Sequence, residues 1–176
     1  RGLREGKEVS AGIKEDRMPN PYLPAWEYIP DGEPRVFGDR IYIYGSHDRK
    51  NETRFCDYKM KVWSAPVDKP GEWVCHGHVF HTAADRDHEA STTHTSKEVY
   101  APDVVCKDGA YWLFTYLFDS KGCVSKSDRP EGPFQFVSCY EYPAGHSRDD
   151  GIFNDPGVLV DDDGRVYIYC GFQEPY

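Results

Sequence analysis

The sequence lacks the features that mark membrane, nucleic-acid-binding and helical proteins. Its longest apolar runs are only a few residues, so no segment predicts a membrane-spanning helix. Basic residues are in the minority, with 21 Lys and Arg against 30 Asp and Glu and a net charge of −9, which leaves no basic stripe for phosphates. Apolar residues nowhere recur at helical spacing. We therefore expect an all-β protein with neither nucleic-acid nor membrane partners.

The sequence also lacks any C-x-x-C pair. Three of the six cysteines fall within strand-like runs, where a thiol behaves as a small apolar residue. Free thiols in a reducing compartment are favoured over a disulfide framework. Residues 1–17 are charged and contain no apolar stretch typical of a secretory signal. The expected localisation is cytoplasmic, or secreted or periplasmic if a leader was removed. The cysteines are Cys56, Cys75, Cys106, Cys123, Cys139 and Cys170.

What the sequence does contain is aromatic residues, 15% of the total, placed in alternating strand-like runs. Three stretches share one design: residues 30–44, 101–114 and 154–169. Each begins near a carboxylate, continues as an apolar strand, turns at an Asp/Gly pair and returns as a second alternating strand. This repeated hairpin is the main signal for both fold and function.

Two further strands follow each of the first two hairpins, and each set is a four-stranded meander of the size of one propeller blade. The third hairpin begins another. We therefore predict a polar tail at 1–18 and a five-bladed β-propeller domain over 19–176, of which this chain supplies about two and a half blades. A propeller needs four or more blades to close, so the pattern favours part of a longer protein. An ordinary β-sandwich is the alternative.

Carboxylates at the heads of the three hairpins are the candidate functional groups: Asp31, Asp103 and Asp155. The first strand of each blade lines the propeller axis, so these side chains are expected to converge at one mouth. Hydrolysis of a glycosidic bond needs one protonated and one ionised carboxyl, and a third carboxylate can raise the pKa of the acid. The competing interpretation is that an Asp before Pro or Gly only caps a turn.

The three blocks resemble glycoside hydrolase family 43. The first is Asn20-Pro21-x-Leu23-Pro24, followed by Asp31, Arg35-Val36 and Gly38-Asp39. The second is Ala101-Pro102-Asp103-Val104 with Asp108-Gly109-x-Tyr111-Trp112. The third is Asn154-Asp155-Pro156-x-Val158 with Asp161-Asp162-Asp163-Gly164-x-x-Tyr167. The resemblance implies a five-bladed propeller and an inverting glycosidase acting on arabinose- and xylose-containing polysaccharides or oligosaccharides of plants.

Carried onto this sequence, the resemblance makes Asp31 the general base and Asp155 the carboxylate that tunes the pKa of the acid. The acid is a Glu of the fourth blade, and no residue before Tyr176 matches it, so this chain alone is expected to be inactive. The family usually has Asp-Pro at the base position, whereas Gly32 follows Asp31 here. Glu33 takes the register of Asp103 and is the runner-up base; it is otherwise assigned to substrate binding.

Other residues near the predicted mouth are assigned to substrate binding. Trp26, Tyr28, His47 and Asp48 flank it, and aromatic faces with polar tips suit a sugar ring. Asp103, which is not one of the family's three catalytic positions, either lines the pocket or bonds to backbone.

No metal ligand and no cofactor are predicted. His76 and His78 are expected on one face of a strand, but no carboxylate spacing completes a site. The resemblance alone allows a structural calcium at the propeller centre. The expected partner is a carbohydrate substrate, and the sequence does not specify an oligomeric state. Two alternatives remain: a non-catalytic carbohydrate-binding propeller, and a propeller that serves as a protein-interaction platform.

Overall fold

A computed structural model of the chain describes residues 21–117, 122–147 and 153–171. The regular structure of these residues consists of ten β-strands in three antiparallel sheets. The tail expected at 1–18 lies outside the described residues. Within the described ranges, no helix has the length and apolar character needed to cross a bilayer.

Blade 1 is a four-stranded meander of neighbouring strands in sequence order: β1 (Glu33–Phe37), β2 (Arg40–Tyr44), β3 (Lys59–Pro66) and β4 (Val74–His81). Its first turn is the predicted one, because Gly38 at φ +61° supplies the left-handed residue that a two-residue hairpin loop needs. Burial alternates along β1, whereas consecutive buried residues in β2 and β3 show that the middle of the sheet is covered on both faces.

Blade 2 repeats this plan: β5 (Val99–Lys107), β6 (Ala110–Leu117), β7 (Cys123–Ser127) and β8 (Gln135–Cys139). The third hairpin pairs β9 (Gly157–Val160) with β10 (Val166–Tyr169) across a turn closed by the Gly164 amide, which donates to the Asp161 carbonyl at 2.8 Å. Three separate sheets with β5 beside both β1 and β9 confirm a partial propeller rather than a sandwich.

The core lies between the blades. Phe134 of blade 2 is buried against blade 1, where its amide donates to the Val79 carbonyl at 2.9 Å. Burying such an aromatic side chain stabilises the fold by roughly 1.5–3 kcal/mol. Tyr44 adds a 2.6 Å hydrogen bond from its hydroxyl to the Pro130 carbonyl. A second, smaller cluster joins blade 2 to the third hairpin through Val105, Phe114, Tyr140 and Val158.

None of the six cysteines forms a disulfide, so the prediction of free thiols is confirmed. Burial raises the pKa of Cys56 to about 12 and that of Cys123 to about 11, so both thiols stay protonated. The localisation stays a prediction.

Strand β4 departs from the expected regular strand. It carries bulges opposite β3, one of them between the pairs Lys61↔His78 and Trp63↔Cys75. His76 therefore points to one side, where its Nε2 lies 2.6 Å from Ser64 Oγ, while the ring of His78 packs against His88 on the other. The expectation that His76 and His78 share a face is wrong, because the bulge shifts the two-residue period.

Candidate active site

The same backbone feature recurs near the start of the inner strand of each unit. Asp31, Ala101 and Asp155 are non-glycine residues at positive φ, with values of 54°, 26° and 48°. Left-handed backbone is costly for such residues and clusters at functional sites. Asp31 and Asp155 therefore occupy equivalent positions at the heads of blade 1 and the third hairpin.

The prediction that three carboxylates occupy equivalent positions is wrong for Asp103. In blade 2 the left-handed position is taken by Ala101, and Asp103 lies two residues after it. Asp103 is equivalent to Glu33, since each lies four residues before the strand end that closes its hairpin. Blade 2 therefore contributes no carboxylate at the left-handed position.

Asp31 and Asp155 are brought close enough to interact. Burial, and then the charge of Asp31, raise the pKa of Asp155 above its usual value. Both residues are exposed, and no described residue bonds to either carboxylate. No described residue therefore competes with a ligand for these two carboxylates.

Asp103 does not fit the substrate-binding role predicted for it. Its side chain is 0% exposed and forms a bidentate ion pair with Arg35 of blade 1, with Arg35 Nε 2.7 Å from Oδ1. The same carboxylate accepts the amides of Val104 and Val158, each at 2.6 Å. Of the two roles left open by the sequence, the structure shows bonding to backbone, because a carboxylate with no exposed surface cannot meet a sugar.

Glu33 is half-exposed, and its Oε1 lies 3.7 Å from a guanidinium nitrogen of Arg35. This ion pair restrains the Glu33 side chain against Arg35 of the same strand, whereas no described residue holds Asp31. The runner-up base is thus the more restrained of the two carboxylates.

Trp26 and Tyr28 are 62% and 46% exposed, so their faces are open to a ligand, as the predicted role requires. The Trp26 ring lies 6.0 Å from that of Trp63, and Lys61 Nζ lies 5.7 Å from its centroid. The exposed Trp26 ring therefore packs on Trp63 and Lys61, which restrict its orientation.

His47 and Asp48 are used mainly inside the protein. His47 is buried, with Nε2 3.3 Å from Glu27 Oε1 and with no partner for Nδ1 among the described residues. Burial lowers the pKa of His47. Asp48 Oδ1 accepts the Cys56 amide at 2.8 Å, and the Asp48 amide donates to the Tyr28 carbonyl at 3.0 Å. Both residues position the Trp26–Tyr28 segment next to the end of β2.

Sequence reasoning missed Glu27 at the centre of this arrangement. Its carboxylate is 1% exposed and accepts from Trp63 Nε1 at 2.8 Å and from Lys61 Nζ at 3.4 Å, besides the contact with His47. From the sequence alone, the Glu between Trp26 and Tyr28 is predicted to be a solvated side chain. Only its long-range partners reveal that it is buried.

The central calcium that the resemblance allows is not supported by the described residues. Their one group of three close His, Cys, Asp or Glu side chains is at the end of β4, on the outer strand of blade 1, and contains only one carboxylate. Calcium requires six to eight oxygen ligands. On the axis, the buried carboxylate of Asp103 is already neutralised by Arg35.

Comparisons with known proteins agree with the partial-propeller fold. No family model matches the chain. A curated xylosidase/arabinosidase of Thermoclostridium stercorarium is 41% identical over 160 residues, covering 87% of this chain and 33% of the relative. Xylosidase/arabinosidase 43A of Humicola insolens is 34% identical over 156 residues, covering 82% of this chain and 43% of the relative.

Among solved structures, a GH43 β-xylosidase/α-arabinofuranosidase from a compost microbial metagenome superimposes with a TM-score of 0.59 at 30% identity. The match covers 81% of this chain and 42% of that one, which was solved in complex with xylotriose in a calcium-free form. The chain thus spans between a third and a half of the length of these proteins.

Proposed function

Because this chain belongs to glycoside hydrolase family 43, we propose that the protein it forms is a glycosidase. Its relatives bear the names xylosidase and arabinosidase, and a solved neighbour binds xylotriose. The substrate class proposed is accordingly the xylosides and arabinofuranosides of plant polysaccharides and their oligosaccharides. The observation that carries this proposal is the shared left-handed position of two exposed carboxylates, Asp31 and Asp155, at the heads of blade 1 and the third hairpin.

In the proposed mechanism Asp31 is the general base. Its exposed carboxylate, which no described residue pairs with, takes a proton from water as that water attacks the anomeric carbon from the face opposite the leaving group. The configuration inverts because water displaces the leaving group in a single step. Base and acid carboxyls in such enzymes lie about 6.5–9.5 Å apart, which leaves room for the water.

Asp155 is proposed as a positioning residue. A carboxylate near the general acid raises the pKa of that acid by like-charge repulsion and keeps it protonated at working pH. The acid itself, by resemblance a Glu, would come from the part of the relatives that this chain does not match. The charge coupling of Asp155 to Asp31 supports a location beside the reacting groups.

Asp31 is favoured over Glu33 as the base for two reasons. Asp31 shares its left-handed backbone position with Asp155, whereas Glu33 shares the register of Asp103, which is structural. In addition, Glu33 is held by its ion pair with Arg35, whereas no described residue holds Asp31.

The test uses the full-length protein with aryl xylosides and aryl arabinofuranosides. The Asp31→Asn variant should lose roughly 10²- to 10⁴-fold in kcat, because the amide cannot accept the proton from water. Glu33→Gln is the matched control and should retain most of the activity. NMR of the first-formed sugar should show the inverted anomer.

Full activity of Asp31→Asn, or a retained anomer, would contradict the mechanism. A wild-type protein that binds xylo-oligosaccharides without turnover would favour the carbohydrate-binding propeller. The Asp155→Asn variant should shift the basic limb of the pH–kcat profile to lower pH, since the acid would lose its neighbouring charge. A merely structural role for Asp155 would leave that profile unchanged.

A further inference from the structure

A cluster of imidazoles and one carboxylate lies at the outer strand of blade 1. Nδ1 of His81, the last residue of β4, is 2.7 Å from Oδ2 of Asp85, and Nδ1 of His88 is 2.8 Å from the same oxygen. The His81 and His88 rings stack with centroids 4.5 Å apart. One atom from each residue lies within 4.8 Å of the others.

The backbone fixes this arrangement. The His81 amide donates to Ser91 Oγ at 3.1 Å, and the Ser91 amide donates to the His81 carbonyl at 2.9 Å. The Asp85 amide donates to the Thr82 carbonyl at 3.1 Å, which forms a turn that aims its carboxylate at the two rings. The segment from 82 to 98 is therefore held against β4 before any ligand arrives.

Asp85 is the anchor of the cluster. Its side chain is only 3% exposed, and Oδ1 accepts the Asp87 amide at 3.1 Å. Oδ2 is thereby left to the two imidazoles. The ring of His78 packs edge-on against both imidazoles, at 5.1 Å from His88 and 5.9 Å from His81, and restricts their rotamers.

We propose that His81, Asp85 and His88 form a binding site for a zinc-class divalent transition metal. Two imidazole nitrogens and one carboxylate oxygen make a ligand set that suits Zn²⁺, with Ni²⁺ and Cu²⁺ as chemical analogues. Calcium does not fit, since it needs six or more oxygens. His88 is 40% exposed, so the metal can enter from solvent and keeps a water in its fourth position.

The geometry needs only a small adjustment. Zinc bonds of about 2.0–2.1 Å in a tetrahedron separate the ligand atoms by roughly 3.3 Å. The two Nδ1–Oδ2 distances are 2.7 and 2.8 Å, so each ring must withdraw by roughly half an ångström. The metal replaces the hydrogens that now lie between the rings and Asp85. Each displaced proton moves to the other ring nitrogen or to solvent.

One neighbouring cation opposes metal binding. Lys59 Nζ lies 3.8 Å from Asp85 Oδ1 and 3.8 Å from Asp87 Oδ2. Its charge repels a divalent ion through a partly buried, low-dielectric region. Removing that charge should therefore tighten binding, an effect opposite in sign to the loss of a ligand.

The consequence of occupancy is a cross-link between β4 and the 82–98 segment, which connects blade 1 to the first strand of blade 2. A ligand that binds the folded state alone raises the thermal stability of the protein. Metal should thus raise the melting temperature. The site uses neither Asp31 nor Asp155, so its test does not depend on the proposed glycosidase activity.

The experiment uses full-length, tag-free protein that has been stripped with a chelator and titrated with Zn²⁺ in a calorimeter. One ion should bind per chain, and the Co²⁺-loaded protein should show the visible absorption of a four-coordinate site. His88→Gln should weaken binding by more than the roughly 10- to 100-fold that loss of an outer-shell partner costs. Since His88 is the most exposed ligand, this variant should fold normally.

His94→Gln is the matched control. His94 belongs to the same segment but stacks on Phe136 and lies outside the cluster. The His94→Gln variant should bind zinc as the wild type does, while the Lys59→Gln variant should bind zinc more tightly. Absence of stoichiometric binding to the wild type, or equal weakening in His88→Gln and His94→Gln, would overturn the proposal.

Discussion

Arg35 and Asp103 form a bidentate ion pair across 68 positions of sequence, joining the inner strands of blades 1 and 2. Arg35 also donates to the Val158 carbonyl at 3.2 Å, and the Val158 amide donates to Asp103 at 2.6 Å. Two side chains thus connect all three units at the propeller axis. The pair holds in register the strands β1 and β9, and Asp31 and Asp155 each lie two residues before one of these strands.

Replacing Arg35 by Met should destabilise the protein strongly. The change leaves the Asp103 carboxylate buried without its counter-ion, which costs about 3–5 kcal/mol in comparable sites. Chemical denaturation of the full-length protein measures the loss. The control is Arg165→Met, whose exposed pair with Asp163 is worth at most about 1 kcal/mol.

A companion variant separates the charge effect from packing. Asp103→Leu combined with Arg35→Met removes both charges and should recover part of the lost stability, because no uncompensated charge stays buried. A double variant less stable than Arg35→Met alone would contradict this account. It would show that the hydrogen bonds of Asp103 to backbone amides matter more than its charge.

The pKa of Asp155 should fall in the Asp31→Asn variant. Burial and the charge of Asp31 both raise this pKa, and the substitution removes the second cause. Carbon-13 NMR titration of the carboxyl group provides the measurement. Glu33→Gln should leave the pKa of Asp155 unchanged, and an equal fall in both variants would contradict the pairing.

The same raised pKa has a consequence for stability against pH. A carboxyl group whose pKa is higher in the folded state favours folding when protonated. That contribution is fully present below the unfolded-state pKa and is lost as the pH rises through the folded-state pKa. Asp155→Asn should therefore show a smaller loss of stability than the wild type as the pH rises through this range, measured by thermal denaturation.

Removing Glu27 should destabilise the segment that presents Trp26. Glu27→Ala leaves the buried Trp63 Nε1 without its acceptor, which costs about 1–3 kcal/mol. Glu27→Gln should cost less, since an amide oxygen can still accept that bond. Because the charge of Glu27 raises the pKa of His47, both variants should lower this pKa further. An unchanged His47 titration by NMR would contradict the contact.

Trp26 is the most direct test of sugar binding. Its ring is exposed on a buried support, so Trp26→Ala should raise KM for xylo-oligosaccharides while changing kcat little. Tyr22→Ala is the control, because this exposed aromatic packs against Trp73, next to the start of β4. An unchanged KM in the Trp26 variant would remove this residue from the substrate-binding set.

The sequence by itself determined the hairpins and the two exposed carboxylates. Turns at Gly38 and Gly109 and the Asp161–Gly164 loop need left-handed or Asx geometry that these residues supply locally. The resemblance to family 43 rests on the same short-range blocks. Such signals survive in the sequence because they act within a few residues.

Only the tertiary structure decided which carboxylates are buried and which histidines meet. Asp103 looks like Asp31 and Asp155 in sequence, yet Arg35, far away along the chain, makes it a buried ion-pair partner. His81 and His88 converge on Asp85 because the 82–98 segment folds back onto β4 through hydrogen bonds to Ser91. These outcomes depend on long-range packing and strand register, which no local pattern encodes.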